Sequence, residues 1–191
     1  ITLTGVAVGL LGAAGLGTVS EVGRLLGILG LVLSGVLDCV DGEVARARLE
    51  ESAAGARLDV AADYVVHLAT FVGLGVGLVR QGLPPAGRWA ALALILGVGA
   101  AMALMHAAFV GPALARGGGL HRAGAAEGRR GPLVTMAEKV ASRDYVYLLL
   151  VCAVAGHLEW FLYAAAAGAW AFVAGLLGYR SPWVVSSSER A

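Results

Sequence analysis

Long apolar runs, broken at intervals by small clusters of charge, make up most of this chain. A helix needs about 20 mostly apolar residues to cross a bilayer. Six runs reach or approach that length: residues 1–19, 25–45, 56–79, 88–115, 144–156 and 160–179. The fifth is the shortest, ending beside His157 and Glu159. Between the fourth and fifth runs, residues 116–131 are rich in Gly and Arg and read as a loop, and residues 132–143 as a short interfacial helix. Residues 186–191 are polar and read as a disordered end. The pattern predicts an all-α integral membrane protein, a bundle of six transmembrane helices. One membrane domain covers residues 1–180, and residues 181–191 form a cytoplasmic tail.

Composition sharpens this. Apolar residues make up 59% and charged residues 14%, with a mean hydropathy of +0.80. A water-facing domain carries about 25% charged residues. Disorder is excluded for the bulk of the chain, because disorder needs low hydrophobicity. A net charge of +1 argues against a nucleic-acid partner. Cys39 and Cys152 lie far apart in apolar runs and read as packing residues. The chain opens on apolar Ile1 with no basic stretch before it. That opening raises the expectation of an upstream segment, either an amphipathic helix or a fused domain.

Charge also orients the bundle. If the loop after the second run is cytoplasmic, that side holds 11 of the 14 Lys and Arg residues. Arg24, Arg80 and Arg88 lie opposite. Basic loops stay in the cytoplasm, so a multi-pass protein of the inner membrane is expected, with its cytoplasmic face at the second-to-third connection. Trp89, Trp160 and Trp183 fall near run ends, as interfacial anchors do. Gly5 with Gly9, Gly23 with Gly27, and Gly73 with Gly77 have the spacing that lets helices approach closely. Gly73, Gly75 and Gly77 follow no strand, so they read as helix packing rather than a phosphate loop.

The acids are the anomaly. Asp38 and Asp41 end the second run, and Asp59 and Asp63 begin the third. An Asp at the centre of a membrane helix costs about 2.5–3.5 kcal/mol. Residues three and four apart share a helix face, so each pair stacks on its own helix. A short connection predicts that the two helices are antiparallel neighbours, with all four carboxylates converging. So many like charges repel unless a cation joins them. Oxygen ligands without Cys or His favour Mg²⁺, Mn²⁺ or Ca²⁺, and paired dications are a common device in phosphate transfer. The plainer alternative is salt bridging to Arg46, Arg48 and Arg57. Gly42, Ala45 and Gly55 are small enough to admit a ligand, and Arg46 has a donor fork suited to phosphate.

These residues form the pattern Asp38-x2-Asp41-Gly42-x2-Ala45-Arg46-x8-Gly55-x3-Asp59-x3-Asp63. It resembles the signature of the CDP-alcohol phosphotransferases, membrane enzymes of phospholipid and related synthesis, at all eight defining positions. The resemblance implies six membrane helices with the motif straddling the second and third. Members have an amphipathic helix before the first span, which is missing here. It implies two ions, Mg²⁺ or Mn²⁺, on Asp38, Asp41, Asp59 and Asp63. Asp63 would also act as general base on the acceptor hydroxyl. Asp41, Gly42, Ala45, Arg46 and Gly55 would line the site for the CDP-linked donor. The implied reaction splits the CDP pyrophosphate, releases CMP and joins the phosphate-bearing group to an alcohol, such as an inositol phosphate or glycerol phosphate. A homodimer in membrane lipid is implied as well.

Acceptor residues are harder to read. Arg116, Lys139 and Arg143 could hold an acceptor phosphate, or act as ordinary positive-inside charge near lipid headgroups. Arg143-Asp144-Tyr145 and Tyr147 resemble the fifth-span start of the di-myo-inositol-phosphate-phosphate synthases and their bacterial relatives. Many of those carry an upstream cytidylyltransferase domain. His67 lies one turn beyond Asp63, and His106 could face an interior cavity. Two other classes compete: a cation-coupled transporter using intramembrane carboxylates, and a silent scaffold. No broken helix or inverted repeat favours the transporter.

Overall fold

The computed structural model describes residues 2–47, 52–111 and 145–179. They form α1 (Thr2–Leu16), α2 (Glu21–Ala47), α3 (Ala53–Arg80), α4 (Pro85–Met105) followed by a π-helical turn (His106–Val110), α5 (Tyr145–Val154) and α6 (Leu158–Tyr179). The described residues contain no strand. The predicted loop at 116–131, the interfacial helix at 132–143 and the tail at 181–191 lie outside the described residues.

Local chemistry sets the helix ends. Ser52 caps α3, accepting a 3.0 Å hydrogen bond from the Gly55 amide. Pro85 opens α4, where a missing N–H is harmless. Gly82 (φ +90°) ends the α3 side of one turn and Gly156 (φ +74°) the α5 side of another. In each case the next amide reaches back to close the helix end: Leu83 to the Leu78 carbonyl at 3.1 Å, His157 to that of Cys152 at 2.8 Å. Both turns need a residue at positive φ, and glycine supplies it without strain.

Six helices are present among the described residues. Four segments are long and apolar enough to span a bilayer: Glu21–Val44, Ala54–Arg80, Pro85–Ala108 and Leu158–Gly178. As described, α1 has 15 residues and α5 has 10, short of the required ~20.

The packing corrects a second expectation. α2 and α3 are not packed side by side along their lengths; α1 packs extensively against both. It runs antiparallel to α2, with Gly5 near Leu37 and Gly15 near Gly23. It runs parallel to α3, with Ala13 against Gly73 and Leu16 against Gly77. α4 joins α3 to α6, and α5 packs on α2 and α6. Adjacency was inferred from the short connection, but a short connection holds only the helix ends together. The glycines of α1 offer the closer fit. A Cβ on Gly27 would collide with backbone of α1 at Gly12, Gly15 and Leu16, and one on Gly73 with the Ala13 carbonyl. Without a hydrophobic drive between helices in lipid, such close approach holds them together.

Large apolar side chains coat the outside. Leu3 and Leu11 are each 73% exposed and Trp89 is 71% exposed. Ser34 and Thr70, by contrast, are fully buried. Each spends its hydroxyl on a helix carbonyl, Ser34 on Gly5 and Thr70 on Val66, both at 2.8 Å. An apolar coat, with these two buried hydroxyls bonded to helix carbonyls, suits a lipid solvent.

Candidate functional site

All four aspartates lie toward one end of the bundle, on the C-terminal half of α2 and the N-terminal half of α3. Asp38, Asp41 and Asp63 are half-buried, and Asp59 is exposed. Asp38, Glu43, Asp59 and Asp63 each have a polar partner. Thr2 Oγ1 donates a hydrogen bond to Asp41 Oδ2. The antiparallel register of α1 on α2 brings these two residues together. The parallel register on α3 sets Thr2 near the level of Asp59. The start of α1 therefore belongs to the acidic end. Thr2 did not stand out in the sequence, where a threonine opening an apolar run reads as ordinary.

Among the described residues, no group of three or more His, Cys, Asp or Glu side chains could hold a metal ion. The donor chemistry of the four carboxylates suits a hard dication.

Of the predicted donor-site residues, Gly42 lies half-buried on α2 and Gly55 is exposed on the first turn of α3. The Gly55 amide is bound to Ser52. The side chains of Ala45 and Arg46 lie outside the described part, and so do Arg116, Lys139 and Arg143.

Beyond Asp63 the interior becomes aromatic. Tyr64 meets His106 edge-on, with ring centroids 5.9 Å apart. One turn further, His67 lies 4.6 Å from Tyr145, which stacks on Phe71 at 5.1 Å. Through these rings the start of α5 reaches α3. Sequence singled out His67, His106 and Tyr145 separately, but not the cluster, whose members come from three distant segments. Tyr64 went unremarked.

The whole arrangement can be compared with known families. The family model for CDP-alcohol phosphatidyltransferase matches residues 1–177. This chain belongs to the CDP-alcohol phosphatidyltransferase family. The match covers every described helix nearly to the end of α6. It identifies an enzyme family that transfers phosphate-linked groups from CDP-alcohols, and the apolar helices agree with a membrane location. It does not reach the di-myo-inositol-phosphate-phosphate synthase subgroup. No curated protein and no solved structure shows a significant match.

Proposed function

We propose that this CDP-alcohol phosphatidyltransferase moves a substituted phosphate from a CDP-linked donor, CDP-diacylglycerol or a CDP-alcohol, to the hydroxyl of an acceptor alcohol. The acceptor is of the inositol phosphate or glycerol phosphate class. The observation carrying this reading is the family match together with the complete eight-residue motif, Asp38 to Asp63, at one end of the bundle.

In this reading the acceptor oxygen attacks the phosphorus that bears the donor's alcohol group. A new P–O bond forms, the pyrophosphate P–O bond breaks, and CMP leaves with the bonding pair. An alcohol is a weak nucleophile near neutrality, and a carboxylate in reach accelerates attack by taking its proton. Asp63 has that role because it lies one turn deeper along α3 than Asp59 and directly precedes Tyr64 of the aromatic interior. Arg46, a permanent cation, is the residue for donor phosphate.

Dependence on Mg²⁺ or Mn²⁺ is part of the reading. It is supported by the ligand chemistry of the four carboxylates and by the family. A bound dication would supply charge stabilisation for the leaving phosphate. The site faces the cytoplasm of the inner membrane, as the Lys and Arg bias supports. A homodimer is included, supported by Gly168 and Gly175 on α6, where an added Cβ meets nothing within 4 Å.

The test is CMP release by the purified protein from CDP-diacylglycerol and from CDP-inositol, each offered glycerol 3-phosphate and myo-inositol 1-phosphate. Release that needs an acceptor and a dication, and stops with EDTA, is the expected result. Failure to release CMP with every pair, in Mg²⁺ and in Mn²⁺ alike, overturns the reading.

A further inference from the structure

Asp63 is the one described residue assigned to the acceptor so far, and directly beside it a buried group lacks a partner. The Tyr64 hydroxyl is a buried side-chain polar atom with no hydrogen bond. A buried hydroxyl left unpaired costs about 1–3 kcal/mol, so such a group in a membrane interior calls for an explanation. Tyr64 directly follows Asp63, and its ring rests edge-on against His106 at 5.9 Å and 72°. His106 begins the π-helical turn, whose wider ring is closed by the Gly111 amide on the His106 carbonyl. Single π turns within α-helices occur often at functional sites.

We infer that the Tyr64 hydroxyl is a binding group for the acceptor alcohol, donating a hydrogen bond to one of its oxygens, and that His106 positions the Tyr64 ring for this through its edge contact. The inference rests on the proposed transfer and deepens it. Three observations meet here: an unpaired buried donor, its place beside the motif's last acid, and a local helix distortion that presents a ring to it. The ligand chemistry is a polyol or its phosphate ester, since a phenol can donate to either kind of oxygen. Donor and acceptor binding are told apart by measuring KM for each.

Calorimetric titration of the detergent-purified protein with glycerol 3-phosphate and with myo-inositol 1-phosphate reads acceptor binding without turnover. Kinetics then separate KM for acceptor from KM for donor. Tyr64→Phe keeps the ring and removes only the hydroxyl. It is expected to weaken binding of the better acceptor, and raise its KM, by about tenfold, with KM for the CDP donor unchanged. His106→Ala is expected to move the same quantity less, and His106→Phe, which restores an aromatic edge, to return it toward wild type. Unchanged acceptor binding in Tyr64→Phe, an equal rise in donor KM, or no acceptor binding by the wild type overturns the inference. His106→Phe behaving like His106→Ala overturns the positioning role. If the wild type binds acceptor but releases no CMP, the transfer reading fails while the Tyr64 comparison is still decided by titration.

Discussion

The two ends of α1 are held by different means. Toward its C-terminus α1 meets its neighbours backbone to backbone. A Cβ on Gly12 would lie 2.7 Å from the Gly27 carbonyl oxygen, and Gly77 fits against the Leu16 carbonyl. Toward its N-terminus the helices draw apart. A Cβ on Gly5 would find its nearest atom, Leu37 Cβ, at an ordinary 3.7 Å. There the links are side chains: Ser34 to Gly5 and Thr2 to Asp41. The tight end carries none of the motif aspartates, and the open end carries all four. Close packing fixes the scaffold, and its relaxation leaves room for polar groups that need a ligand.

The sharpest way to break this comparison is to disable the open end alone. Asp63→Asn keeps the size of the side chain and removes its basicity. CMP release should fall by about 10²–10⁴-fold, while the helical circular dichroism stays that of the wild type. A loss of helix instead would make Asp63 a structural residue. The tight end should respond in the opposite way. Gly73→Val drives a branched side chain into the Ala13 carbonyl, and overpacking of this kind costs about 1–3 kcal/mol. A marked drop in melting temperature in detergent is expected. Gly99→Val, where an added Cβ meets nothing within 4 Å, is the matched control and should leave it unchanged.

Smaller changes sharpen the contrast. Thr2→Val removes the hydrogen bond to Asp41 without changing shape. A bond to a charged group is worth about 1.5–3 kcal/mol, but this one lies at an open end. Its loss should appear chiefly as a several-fold lower kcat/KM for the donor, with little change in melting temperature. Smallest of all, Trp170→Phe loses the 2.9 Å bond from the indole N–H to the Ala93 carbonyl between α6 and α4. Interhelical hydrogen bonds in membranes average about 0.6 kcal/mol. A slight fall in melting temperature with full activity is expected.

Much of this was legible in the chain. Apolar run length located the helices, because lipid forces every backbone polar group into helical bonds. The small-residue spacings located real contacts: Gly27 and Gly73 both sit where α1 approaches most closely. The motif was legible because acids in a membrane demand a reason. The insertion of α1 beside both acid-bearing helices was not legible. Two surfaces rich in glycine can pair in several ways, and chain order does not choose among them. The π turn was equally hidden. The sequence from His106 to Val110 holds no proline or glycine to mark a break, so hydropathy reads it as continuous helix.

That turn alters the phase of the helix where it ends at Gly111. An α-helix advances each residue by about 100° around its axis. A π turn takes in an extra residue before the ladder resumes, so Gly111 emerges on a different side than uniform winding would give it. The facing of Gly111 is thus set by a local count of residues, and removing one of the pair Ala107–Ala108 would turn it by about 100° without touching a single polar group.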